Sequence, residues 1–234
     1  IKRIAYAASF GLDKWHYPYF LTKKCKLLAS KFDAVSVRED TAVELCRKHL
    51  DINATHLVDP TMLLDSIDYL RLVDKENPSP ISGSLLVYIL DETIEIECFV
   101  KHCSLELNLH PFRVNPSKIT KAESISETQK YVYPPVTQWI KGFEDAKFVI
   151  TDSFHGCVFS ILFNVPFIAI GNPLRGLTRI ISLLRMFDLM DRLTFSITNL
   201  NINDFNKPIN WERINKKLVI EKEKGIHFLE TYLS

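Results

Sequence analysis

Residues 148–167 read FVITDSFHGCVFSILFNVPF. An apolar run of strand length ends in the polar group Thr-Asp-Ser-Phe-His-Gly, an apolar helix is expected over 154–163, and a second apolar strand over 165–170. Strands apolar on both faces and joined through a helix belong to parallel sheets covered by helices. Such sheets hold their ligands at the carboxyl ends of the strands, here residues 151–156. Asp152 or Ser153 can cap the helix, whose first turn offers unpaired backbone N–H groups and the positive end of its dipole to a phosphate or carboxylate. His155 falls in that first turn, and helical side chains lean toward the N-terminus, so its imidazole is aimed back at the strand ends. There it can donate to an anion or move a proton near neutral pH. Gly156 permits close approach of a ligand or of a neighbouring backbone. The bland reading stands beside this one: an Asp or Ser before a helix is usually only a cap, and a histidine among apolar residues is more often a satisfied core residue. From the residues alone the stretch reads as an anion site.

The same alternation runs outward in both directions. Strands are expected at 3–8, 34–37 and 56–58, an amphipathic helix over 19–32 with Phe20, Leu27, Leu28 and Phe32 on its apolar side, and a second helix from Asp40 or Thr41 to about 50. DKENPSPISGS, residues 74–84, has the composition of a linker. Beyond it a strand over 85–90, a helix over 94–107 and a strand over 111–114 precede a polar excursion at 115–135, after which helix resumes at 137–144. A further helix spans 177–187, and 211–232 has helical period. These readings predict an α/β protein with two Rossmann-like domains facing a cleft: 1–74, a linker at 75–84, 85–205 with the anion-site turn, and a C-terminal helix at 206–234. Arg175 and Arg179 follow the strand after the turn, on the rim expected for His155, and either is a candidate for contact with phosphate or sugar.

Composition excludes some classes of function. With 234 residues, 47% hydrophobic, 24% charged and a net charge of +1, the chain is of globular type and has no basic surplus for nucleic acid. The apolar stretch 157–170 is broken by Ser160, Asn164 and Pro166 and falls short of the roughly 20 residues that span a bilayer, so no integral membrane segment is expected. Five scattered cysteines argue for a reducing, cytoplasmic compartment. Cys98, His102 and Cys103 offer a helical pair of ligands without a partner pair, so no metal is expected. Cys157 near His155 invites a nucleophile reading but fits packing better. Tyr131, Tyr133 and Trp139 either stack on sugar rings or belong to the core, and Asp59-Pro60 reads chiefly as a turn.

Three blocks carry a resemblance. FEDAKFVITDSFHGCVFSILFNVPFIAIGNP (143–173), FDAVSVREDTAVELCRKHL (32–50) and HLVDPTMLLD (56–65) resemble, in order, blocks of the polysaccharide pyruvyl transferase family. The resemblance implies a two-domain fold similar to the glycosyltransferase-B type and transfer of pyruvate from phosphoenolpyruvate, as donor substrate rather than cofactor, to the hydroxyls of a sugar or glycan. It places catalysis and donor binding on His155, donor binding on Arg38, and the rest of the donor turn on Ser153, Phe154 and Gly156; Asp152 stands beside Arg175 and Arg179 as a candidate for phosphate or sugar contacts. Ser153 stands where some members carry arginine, so one donor contact is lost or supplied elsewhere. It also implies a first domain incomplete at its N-terminus. Two other readings remain open: a nucleotide-sugar glycosyltransferase with Asp152 as its donor-binding acid, and a catalytically silent binding domain. The acceptor, the general base and the oligomeric state are undetermined at this level.

Overall fold

The computed structural model describes residues 1–116, 132–173, 176–198 and 200–234. Residues 117–131 of the polar excursion, Tyr131 among them, and Arg175 therefore lie outside the described residues. In chain order the elements are β1 (Ile4–Ala8), α1 (Tyr19–Ala29), β2 (Ala34–Val37), α2 (Asp40–Leu45), β3 (Ala54–His56), α3 (Ser66–Glu76), β4 (Leu85–Tyr88), α4 (Ile94–Leu107), β5 (Pro111–Phe112), α5 (Val136–Asp145), β6 (Phe148–Thr151), α6 (Phe154–Leu162), β7 (Phe167–Ile170), α7 (Leu177–Met186), β8 (Leu193–Thr194) and α8 (Trp211–Leu233). The protein is α/β, and its strand pairings β1–β2, β2–β3, β4–β5, β4–β6 and β6–β7 are all parallel.

The chain divides into two compact units, one of Ile1–Leu64, Gly171–Leu193 and Asn210–Ser234, the other of Asp65–Ile170 and Thr194–Ile209. This differs from the division expected at 75–84. That stretch holds the last two residues of α3 and the irregular path into β4, and it is tied within the second unit by Gln138 Nε2 donating to Ser79 O at 3.0 Å. Pro78, Pro80 and Gly83 prevent regular structure there without making the segment a linker.

In the first unit the sheet order is β1-β2-β3. Val37, Ala42, Cys46 and Leu50 form one core cluster, and Ala34, Leu57 and Phe228 of α8 form another. The helix expected over 19–32 forms, but Phe20, Leu27, Leu28 and Phe32 are exposed. Cys25 and Ala29, four apart on another face, are the α1 residues that pack on the Val37 cluster. A bulge in β1 puts Ala7 at φ 46°, with its N–H donating to Ser36 Oγ at 2.8 Å, and re-aims the strand end.

In the second unit the order is β5-β4-β6-β7-β8. From β4 the chain moves to one side, to β5, and from β6 to the other, to β7, so the topological switch point lies between β4 and β6. Leu85, Leu86, Val87, Phe148, Val149 and Ile150 are fully buried, as strands covered on both faces require. One helix absent from the sequence reading is α3. It is opened by a capping box in which Asp65 accepts from the backbone three residues on and Asp68 accepts from the Asp65 N–H at 3.1 Å. Tyr69 of α3 packs edge-on to Phe159 with centroids 5.0 Å apart. No helix among the described residues is long and apolar enough to cross a membrane.

Candidate functional site

In the second unit the residues of the turn are drawn to the switch point by hydrogen bonds that reach far back along the chain. Thr151, the last residue of β6, donates from Oγ1 to Tyr88 O at 2.8 Å and accepts the Ser153 N–H at 3.0 Å. Asp152 is 3% exposed. Its Oδ1 accepts the Leu90 N–H at 2.8 Å and its Oδ2 the Asp91 N–H at 2.9 Å, so both oxygens are spent on the chain leaving β4. Burial pushes its pKa up, and the two backbone donors oppose the shift without cancelling it. Asp152 is thus a clasp across the switch point and not the cap of α6. The cap position is Ser153, whose side chain makes no capping bond and instead meets the Tyr88 hydroxyl.

Phe154 is buried and lies edge-on to His155, with ring centroids 5.3 Å apart. His155 is partly exposed in the first turn of α6, as its position in the sequence predicts. The room expected at Gly156 is filled from within. A Cβ there would overlap Thr151 Oγ1 and stand 2.8 Å from Thr151 Cβ, so the glycine admits the end of its own strand. Cys157 is fully buried and its thiol is pushed far above the ordinary range by desolvation, which removes it as a nucleophile. Trp139 lies in an aromatic core, its ring centroid 4.6 Å from that of Phe159 and 4.8 Å from that of Phe143. Tyr133 instead is exposed on the rim of a cavity of about 290 Å³ that opens beside the end of β4, with Tyr88, Leu90, Glu92 and Asn115. Cys98 and His102 line another depression, but no group of three or more His, Cys, Asp or Glu able to hold a metal occurs among the described residues.

In the first unit Arg38 follows β2, and its Nη1 lies 2.6 Å from Asp59 Oδ2. The Asp59 side chain is 1% exposed, and its Oδ1 accepts from the Thr61 N–H at 3.1 Å and the Thr61 hydroxyl at 2.8 Å. Asp59 therefore does more than turn the chain: it holds the Arg38 guanidinium in one orientation. Breaking a buried pair of this kind costs about 3–5 kcal/mol. Glu39, next to Arg38 in the chain, is 0% exposed. Its Oε1 accepts the Gly11 N–H at 3.0 Å and the Ser9 hydroxyl, fixing the loop that leaves β1. Its Oε2 has no hydrogen-bond partner among the described residues. Glu39 occupies the cap position of α2 expected for Asp40 or Thr41, while Asp40 accepts from the Thr41 N–H at 2.7 Å.

Arg179, a candidate for contact with phosphate or sugar, belongs to α7 in the first unit. Burial lowers its pKa, the charge of Arg38 lowers it further, and those of Glu39 and Asp59 raise it. Ser182 seats α7 against α2 by accepting the Asp40 N–H at 2.9 Å, and its hydroxyl lies 3.1 Å from His56 Nε2. Asp59 and Glu39 are the residues that the sequence reading undervalued. The available signal was their position two and three residues beyond the ends of parallel strands.

Among solved structures, a glycotransferase of kitacinnamycin aligns at 12% identity and TM-score 0.42, covering 67% of this chain and 45% of its own. The wall teichoic acid polymerase TagF aligns at 15% identity and TM-score 0.44, covering 100% of this chain and 60% of its own. The chain thus spans less than two thirds of the length of either. No curated protein matches it significantly. The sequence profile of polysaccharide pyruvyl transferase matches residues 1–173, a span that contains Arg38, Asp59 and His155. By that match the chain belongs to the polysaccharide pyruvyl transferase family.

Proposed function

We propose that this chain transfers pyruvate from phosphoenolpyruvate to two hydroxyls of a sugar, forming a ketal, in the cytoplasmic synthesis of a surface polysaccharide, on paired Rossmann-like domains of the glycosyltransferase-B type. The methylene carbon of the donor takes a proton and becomes a methyl group, and the electron-poor central carbon is attacked by one hydroxyl. The second hydroxyl then displaces phosphate from the same carbon. Of the two hydroxyl protons, one replaces the proton given to carbon and the other leaves with phosphate, so the reaction is balanced without an oxidant or a metal.

Arg38 binds the donor, because a guanidinium fork matches a carboxylate or phosphate with two parallel hydrogen bonds. Asp59 keeps that fork in place. His155 is the acid, or the group that stabilises departing phosphate. Ser153, Phe154 and Gly156 shape its turn, and Tyr133 beside its cavity suits a sugar ring. What supports this reading most is that the profile match includes both Arg38 and His155, each next to the carboxyl end of a parallel strand. The nucleotide-sugar alternative is weakened because Asp152, its donor-binding acid, has both oxygens engaged by backbone N–H groups.

The test is calorimetric titration of the chain with phosphoenolpyruvate, beside Arg38→Ala and His155→Ala variants verified as folded, followed by phosphate release with sugar acceptors. Saturable binding lost in Arg38→Ala, with turnover reduced on the order of 10²–10⁴-fold in His155→Ala, is expected. A folded parent that ignores phosphoenolpyruvate but binds a nucleotide-sugar defeats the proposal.

A further inference from the structure

We infer that the outward face of α1 docks the first unit on an anionic lipid bilayer, as a peripheral contact in the plane of the headgroups. The inference is independent of the donor chemistry proposed above. The apolar side of a helix ordinarily lies against the core, and in α1 most of it does not. Cys25 and Ala29 pack on the Val37 cluster, while Tyr19, Phe20, Leu27 and Leu28 are exposed, Phe20 to 69% and Leu27 to 63%. Two rows at i, i+4 spacing run along this face, Tyr19-Lys23-Leu27 and Phe20-Lys24-Leu28, each with a lysine between two apolar side chains. The orientation of the helix is fixed from its inner side. Trp15 Nε1 donates to Thr22 Oγ1 at 2.7 Å, and the Trp15 ring stacks on His49 with centroids 4.7 Å apart.

Charge identifies the occupant. Residues 14–32 hold five lysines and no aspartate or glutamate, in a chain whose net charge is only +1. Lys26 pairs with Asp51 at 2.9 Å. Lys14, Lys23, Lys24 and Lys31 are exposed and, among the described residues, stand in no ion pair. The acids that flank the segment are Asp13 and Asp33, and Asp33 accepts the Arg3 N–H at 2.7 Å. Glu44 of α2 is engaged by Arg47 and Lys48. A face that interleaves exposed apolar side chains with ammonium groups fits a surface offering hydrocarbon and anions at nearly one depth, which a bilayer with anionic headgroups does. Phe20, Leu27 and Leu28 enter the acyl boundary, and the lysines reach back along their stems to the phosphates. A second copy using the same face would set lysines against lysines. A nucleic acid would meet the charges and leave the leucines in water.

The experiment co-sediments the whole chain with vesicles of phosphatidylcholine alone and of phosphatidylcholine mixed with phosphatidylglycerol, at low and high salt, and follows oligomeric state by light scattering. The parent should bind the anionic vesicles, leave them at high salt and ignore the neutral ones. Lys23→Gln/Lys24→Gln should weaken binding about 30-fold, at roughly fivefold for each lysine near the surface. Phe20→Ser/Leu27→Ser, which keeps every charge, should weaken it at least about 10-fold. A control equal in lost charge, Lys101→Gln/Lys147→Gln at exposed positions of the second unit, should bind like the parent. All these side chains are exposed, so each variant should melt with the parent. A parent that ignores both kinds of vesicle, or binds the neutral ones equally well, overturns the inference. Anionic binding that survives both α1 variants, or that the control loses to the same extent, overturns it too. A parent dimer that stays off vesicles and is dissociated by Phe20→Ser/Leu27→Ser assigns the face to a second copy instead.

Discussion

Adding one methyl group at Gly156 should be among the most damaging changes available in the second unit. The new Cβ would overlap Thr151 Oγ1 and stand 2.8 Å from Thr151 Cβ and 3.0 Å from Cγ2. Thr151 is fully buried, so it has no open rotamer to move into. Overpacking of this kind costs typically about 1–3 kcal/mol. Displacing Oγ1 also breaks its bonds to Tyr88 O at 2.8 Å and to the Ser153 N–H at 3.0 Å, each worth roughly 1 kcal/mol. Against this, alanine gains about 1 kcal/mol over glycine inside a helix. The balance is a net loss of about 2–4 kcal/mol. Urea unfolding of the parent and Gly156→Ala, followed by tryptophan fluorescence and circular dichroism, measures it. Because Thr151 is the obstacle, Gly156→Ala/Thr151→Ala should be less destabilised than the sum of the two single changes. A Gly156→Ala protein within about 0.5 kcal/mol of the parent, or a strictly additive double variant, would refute the packing argument.

Asp152 should show a pH dependence opposite to that of most carboxylates. Its pKa in the folded protein is raised above the ordinary value of 3.8, chiefly by burial, so the native state holds this proton more tightly than the unfolded chain does. As pH rises from about 4 through the raised value, the parent should lose stability relative to Asp152→Asn, and the difference should level off above it. Paired denaturation curves from acid to neutral pH check the sign, and a parent that gains on the variant over that window contradicts it. The cysteines should separate by burial. Cys98 is exposed, whereas burial pushes Cys46 to about 11, Cys103 to about 12 and Cys157 higher still. Brief alkylation at pH 8 with mass spectrometric mapping should mark Cys98 first and reach these three only after unfolding. Early labelling of Cys157 would revive a nucleophile in the turn.

Much of the second unit was readable because its signals are local. The apolar run of β6, the polar turn and the apolar α6 are adjacent in the chain, and a fully buried strand and a buried helix look the same in sequence as they do in space. His155 was found for that reason. Local reasoning misread Asp152, whose donors Leu90 and Asp91 lie 62 and 61 residues earlier and compete successfully with the helix it precedes. It passed over α3 although Asp65 and Asp68 have the spacing of a capping box, because the signal was carried by aspartates instead of a Ser-to-Glu pair. In α1 the period was right and the buried face was not, since periodicity states that a helix has an apolar side without stating what covers it.

The sequence by itself determined the parallel α/β class, nearly every strand and helix, the turn holding His155, and through its three blocks the family. These follow from backbone geometry, local hydrophobic period and contiguous motifs. Only the tertiary structure decided which charges meet. It put residues 171–193, and with them Arg179, into the first unit, and it gave Arg38 its buried partner in Asp59. A side chain's electrostatic neighbours are set by how crossovers stack distant segments, and no period or spacing along the chain encodes that.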